Sequence, residues 1–201
     1  GAIALHILFG IPLLLGGLII GVVSMLLLVI QSRHGQRPFE FVVIGLLVIV
    51  TLGFVAGLFF GPVSWGAAVA GIVPRFEGVQ TVLLAASMLG ATVMPHAIYA
   101  HSSLARDRHG SPLPTAALPR LLIATRWDVV LSLLVAGSVN IAMLLLAAGN
   151  LAGVPGTDSI EGAHAAITTA LGPVVGIAFG LGLLASGLAS TSVGCYAGST
   201  I

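Results

Sequence analysis

Charge is what this sequence has least of. No lysine occurs, seven arginines stand against six acids, and charged side chains make up 6% of 201 residues, where soluble globular domains carry roughly a quarter. That scarcity excludes an ordinary soluble domain, and it excludes intrinsic disorder, which needs high charge and low hydrophobicity. With a formal net charge of +1 there is no positive field to neutralise phosphates, so nucleic acid is excluded as a partner. Cysteine is equally scarce: Cys195 stands alone, which rules out an internal disulfide framework. No Gly-rich phosphate cradle is present, so no ATP site is expected.

What the chain has instead is hydrophobicity, 58% of its residues. Stretches of the ~20 apolar residues needed to cross a bilayer recur five times, at 1–31, 39–60, 79–104, 123–148 and 163–201. The expected class is an all-α, multi-pass protein of the cell membrane forming one transmembrane region. Both ends fall within hydrophobic sequence, so the chain reads as part of a larger bundle. Arginine sets the orientation, because positive residues are retained on the cytoplasmic side. Arg33 and Arg37 lie between the first two stretches and Arg106, Arg108 and Arg120 between the third and fourth, with Arg126 opening the fourth, whereas only Arg75 occupies an alternate loop. The loops at 61–78 and 149–162 are therefore expected outside. Glycines at four-residue spacing, Gly53, Gly57 and Gly61 and again Gly172, Gly176 and Gly180, fit close helix packing.

The third stretch contains the one constellation that asks for a chemical reason. It reads Gly90-Ala91-Thr92-Val93-Met94-Pro95-His96, with Tyr99, His101, Ser102 and Ser103 following. Pro95 has no N–H, so the Ala91 carbonyl four residues earlier loses its helical partner. A carbonyl orphaned at membrane depth is tolerated only where protein, water or an ion satisfies it, and broken helices at the midplane are where secondary transporters bind their cargo. Beside that carbonyl stands the Met94 thioether, a soft ligand suited to transition metals, whereas Ca²⁺ and Mg²⁺ prefer oxygen alone. The alternative is that Met94 fills space in a core. His96 and His101 are ionisable groups inside a membrane segment, and histidine is the residue type suited to proton handling; each could instead be a neutral donor to a neighbouring carbonyl. Pro12 and Pro173 read as kinks with no ligand beside them, and His6 and His164 as solvated near the outer boundary.

Ala91-Thr92-Val93-Met94-Pro95-His96, continuing Ala97-Ile98-Tyr99-Ala100-His101-Ser102, resembles the sixth-helix signature of the Nramp family of divalent-metal transporters, Ala-x-x-Met-Pro-His followed by Leu-Tyr-x-His-Ser. Val139 to Met143 resembles the family's seventh helix, and Leu184 to Thr191 with Tyr196-Ala197-Gly198 its eighth, so the chain would cover helices four to eight. The resemblance implies part of a LeuT-like inverted-repeat bundle with its third span here broken at the centre, importing Mn²⁺, Fe²⁺ and similar ions together with protons. It implies metal ligation by the Ala91 carbonyl and Met94 sulfur, a proton route near His96 and His101, and gate or helix-break roles for Thr92, Pro95 and Asn140. The family's Asp-Pro-Gly-Asn motif is absent. Its Asp and Asn ligands would come from missing helices of the same protein, which with the metal ion, protons and the lipid bilayer are the expected partners. Leu188, Ala189, Cys195 and Ser199 stand where the family's eighth helix more often has polar residues. No cofactor is expected, the metal being cargo.

Two rival readings are an intramembrane hydrolase pairing Ser186 with His96 or His101, and a structural or channel-forming bundle. The first lacks both a Gly-x-Ser-x-Gly elbow and a His-Glu-x-x-His motif. The second leaves the Met-Pro-His break without a purpose. An enzyme is not expected.

Overall fold

The computed structural model describes residues 1–34, 36–60, 65–71, 73, 75, 78–109 and 118–199. Among these residues the chain is helical throughout, in the order α1 (Ala2–Phe9), α2 (Leu13–His34), α3 (Gln36–Phe60), α4 (Trp65–Ala70), α5 (Val79–Thr92), α6 (Pro95–His109), α7 (Leu118–Asn150), α8 (Ile160–Leu171) and α9 (Pro173–Ser199). Four segments are long and apolar enough to cross a membrane: Leu13–Ile30, Val79–Arg108, Leu118–Asn150 and Pro173–Gly198. The apolar run Glu40–Gly53 within α3 is a shorter fifth. A bundle of this kind is a multi-pass membrane protein, as the composition requires.

Two of the expected spans divide. Residues 1–31 form two helices, because Gly10 takes a left-handed conformation (φ 69°) and donates its amide to the His6 carbonyl at 2.8 Å. L side chains avoid that conformation and glycine does not. The His6 ring closes the turn, its Nδ1 donating to the Ile11 carbonyl at 3.0 Å. α1 then packs back along α2, where Gly16 lies against the Ala2 backbone. Residues 163–201 likewise divide at Gly172 (φ 93°), separating α8 from α9. Pro12 directly precedes the first residue of α2, and Pro173 is the first residue of α9. Both start helices, where a missing N–H costs nothing, and neither is the mid-helix kink that sequence alone suggested.

α9 is the hub. It packs on α1, α2, α3, α6 and α8, most extensively on α3. The α3 contact depends on Gly53: a Cβ there would stand 2.8 Å from the Ala178 carbonyl oxygen, which as backbone cannot step aside. At one end of α9 the ring of Tyr196 is buried with Ala100 and Ala197, flanked by Leu28, Leu104 and Val193. At the other, Leu146, Ile167 and Val175 are buried together, joining α7, α8 and α9. α8 is the most amphipathic of these helices, and Ser159 caps it by accepting from the Gly162 amide at 3.1 Å, satisfying a donor that the helix start leaves orphaned. His164 is half-buried here, its Nε2 3.1 Å from the Gly176 carbonyl and its ring tilted against Phe179 at 6.1 Å. It is a link across the α8–α9 turn, not the solvated side chain expected.

Candidate functional site

The third span breaks where Pro95 requires. α5 ends at Thr92, Val93 is extended (φ −84°, ψ 103°), and α6 begins at Pro95. The Val93 amide still closes the end of α5 on the Leu89 carbonyl at 2.9 Å. On the far side the Ala97 amide turns to the Met94 carbonyl at 3.0 Å, closing a three-residue turn where a continuous helix would have reached back to Val93. The Ala91 carbonyl has no N–H at position 95 to accept from. Backbone polarity is thus concentrated over Ala91 to Met94, near the middle of a membrane-length segment.

Side chains around this point divide by role. Met94 is 46% exposed, and Ala91 is exposed beside it, so the thioether and the carbonyl at the break are open to whatever packs against this face. The Thr92 hydroxyl is turned back on its own helix, donating to the Met88 and Leu89 carbonyls at 2.9 and 3.1 Å. His101 is exposed on α6. The side chains of Pro95 and His96 lie outside the described part of the structure. Asn140 is elsewhere: it lines a cavity of about 580 Å³ between α3, α7 and α9, with Thr51, Ser132, Val139, Met143 and Ser186 in the same wall. Ala91, Met94 and His101 therefore share the break and the half-helix below it, while Asn140 belongs to a different surface.

Electrostatically the site has little of its own. Among the described residues no group of three or more His, Cys, Asp or Glu side chains is placed to hold a metal ion. A carbonyl oxygen and a thioether form part of a coordination sphere for a transition metal, and anionic ligands would have to be added from other segments.

Sequence reasoning did not find the polar contacts that hold α6. The Tyr196 hydroxyl on α9 donates to Asp107 Oδ2 at 3.3 Å and lies 3.5 Å from Ser103 Oγ. At the same end, Arg108 of α6 meets Glu40 of α3 at 2.6 Å. That pair brings the end of α6 beside the α2–α3 turn, so two of the arginine-bearing segments used to orient the chain lie at one end of the bundle. Tyr196 was visible only as part of a helix resemblance, because nothing local to α9 announces which helix a tyrosine will meet.

Over its whole length, residues 1–201, the chain matches the sequence profile described as natural resistance-associated macrophage protein-like. The chain belongs to the Nramp family. Among its relatives, a divalent metal cation transporter MntH of Mycobacterium tuberculosis is 56% identical over 201 residues, covering 100% of this chain and 47% of that protein. A protein of the same description from Mycobacterium leprae is 53% identical with the same coverage. One from Vibrio campbellii is 37% identical over 203 residues, again covering 100% of this chain and 47% of the relative. This Nramp chain thus spans about half the length of the relatives it matches.

Proposed function

We propose that the protein to which this chain contributes is a secondary transporter that moves divalent transition-metal ions across the membrane, coupled to protons. The observation that carries the reading is the break between α5 and α6, where Pro95 deprives the Ala91 carbonyl of a partner beside the Met94 sulfur. The relatives' description as divalent metal cation transporters supports it. In this reading Ala91 and Met94 supply two ligands, and Asp and Asn side chains from the rest of the protein supply the charge that neither of these has. Mn²⁺ and Fe²⁺ are the preferred cargo, since a mixed oxygen and sulfur set accepts them and offers Ca²⁺ one ligand it uses poorly. His96 and His101 serve the proton route, as titratable groups on the half-helix that starts at the break. Thr92, its hydroxyl turned back on the Met88 and Leu89 carbonyls, belongs to the helix break, and Asn140 acts from the cavity it lines as a gate contact.

Uptake by the full-length protein in proteoliposomes tests this. Internal Mn²⁺, followed with an entrapped fluorescent indicator, should rise saturably and faster when the outside is more acidic than the inside. Uptake indistinguishable from protein-free vesicles would end the transport reading, and uptake linear in Mn²⁺ with no response to the pH gradient would replace it by a channel.

A further inference from the structure

We infer that Tyr196 is a positioning residue for α6 and, through α6, for the face that carries Met94 and His101; its link to metal handling rests on the transport reading above. α6 is docked by one stripe. Ala100 is 3% exposed and Ser103 9%, Leu104 packs against the Tyr196 cluster, and Asp107 takes the Tyr196 hydroxyl. Positions 100, 103, 104 and 107 share one side of a helix, while 98 and 101 fall on the other, and Met94 directly precedes the first residue of α6. Ile98, Tyr99, His101 and Ser102 are correspondingly exposed. Whatever fixes the rotation of α6 about its own axis therefore fixes the direction in which the Met94 and His101 face looks.

The apolar part of this stripe holds α6 down without fixing its rotation. Alanine at 100 and leucine at 104 against a ring can slide, because dispersion and burial are non-directional. Two polar contacts are directional: the Arg108–Glu40 pair, which lies at the exposed end of the helix, and the phenol within the packed stripe. Tyr196 is 4% exposed, and a hydroxyl buried to that degree costs stability unless it is hydrogen-bonded; phenylalanine would fill the same space without that cost. The hydroxyl donates to a carboxylate near the C-terminal end of α6, 3.3 Å away, with Ser103 one turn earlier at 3.5 Å. Such a bond specifies both rotation and height. α5 adds no comparable restraint from above, since it packs on no other described helix beyond isolated contacts.

The test reads the position of α6 directly. In full-length protein with every native cysteine, Cys195 included, replaced by serine, a cysteine is placed at Ser102, on the exposed side of α6, and its modification rate by a maleimide is measured. Tyr196→Phe should change that rate about threefold to tenfold, the range for losing one hydrogen bond, without lowering the thermal unfolding temperature by more than a few degrees. Asp107→Asn retains an acceptor oxygen and should stay near the native rate. Asp107→Leu should reproduce the Tyr196→Phe change, and the two together should add nothing further. An unchanged rate in Tyr196→Phe, or additive effects in the double variant, overturns the proposal. Mn²⁺ uptake supplies the second arm: the apparent KM should rise about threefold or more in Tyr196→Phe. A labelling change with native KM would remove the link to the metal face. Absent uptake in the native protein would instead end the transport reading, and labelling would still judge Tyr196.

Discussion

The two halves of the broken span are held in different ways. Below the break, α6 buries Ala100 and Ser103 against α9 and ends in a phenol–carboxylate bond and an ion pair to α3. Above it, α5 buries no residue: Leu83 and Leu84 are 60% and 62% exposed, and only Thr81 and Ala85, one turn apart, are half-covered. Both halves lie in one membrane-length segment, but α5 is the apolar one, whereas α6 carries His101, Arg106, Asp107 and Arg108. The difference is that α6 is packed on α9, whereas among the described residues no helix covers α5 to a comparable extent. The Ala91 and Met94 pair sits on that boundary, which is where a site assembled from two parts of a protein would be placed.

Reconnecting the halves should have the largest effect. Pro95→Ala restores an N–H that can close on the Ala91 carbonyl, while at the first position of α6 the ring itself costs little. The protein should therefore be about as stable, yet if the Ala91 carbonyl is a ligand, Mn²⁺ uptake should fall on the order of a hundredfold, about 2.7 kcal/mol, as that ligand is withdrawn. Native uptake in this variant would show that the break is not the site.

The scaffold itself is best stressed at Gly53. A Cβ there meets the Ala178 carbonyl oxygen at 2.8 Å, so Gly53→Val must push α3 and α9 apart. Overpacking of this kind costs about 1–3 kcal/mol. The thermal unfolding temperature of the detergent-solubilised protein should drop accordingly, and an unaltered midpoint would deny α9 its place as the hub.

How much of this could be read beforehand follows from where each signal lives. The α5–α6 break was legible because proline lacks an N–H wherever it stands, and the flanking residues then resembled a known signature. The turns at Gly10 and Gly172 were not, because each lies in uniformly apolar sequence and a hydropathy window of membrane length averages over it. The prolines beside them are as consistent with kinks as with helix starts; position within a helix decides between the two, and an apolar stretch does not reveal it. The amphipathic character of α8 was in the sequence, together with its Ser159 cap, but was absorbed into a longer apolar run. His164 and Tyr196 depend on which helix lies opposite, a tertiary fact with no local trace. At the candidate site, Ala91, Met94 and His101 were legible from residue chemistry and resemblance together, whereas the place of Asn140, in a cavity apart from the break, needed the fold.

A smaller effect is expected at the boundary itself, from Met94→Ala. The substitution removes a thioether while leaving the backbone break and its carbonyl in place, and water can occupy the space. The cost should be on the order of 1–2 kcal/mol, about tenfold in affinity. It should fall on Mn²⁺ or Cd²⁺ and hardly on Ca²⁺, which is satisfied by oxygen. Competition of Mn²⁺ uptake by excess Ca²⁺, native against variant, measures the difference directly. Unaltered discrimination would return Met94 to a packing role and leave α5 and α6 joined by a break without sulfur chemistry.

The smallest effect should come from the ion pair that ends α6. At 2.6 Å, Arg108 and Glu40 are close, but their side chains are 55% and 26% exposed, so water screens the attraction and two long side chains lose freedom in making it. Pairs of this kind contribute about 0–1 kcal/mol. For a protein of this size that corresponds to less than about 4 °C in unfolding temperature. Glu40→Gln should therefore lower the midpoint by no more than this, and the gap between native and variant should narrow further in 1 M NaCl, where the screening length is ~3 Å. The contrast with Tyr196 is the informative part: if α6 is fixed by the Tyr196 hydroxyl, Glu40→Gln leaves the labelling rate at position 102 near native while Tyr196→Phe does not. A large shift from Glu40→Gln would move the anchor of α6 from α9 to α3.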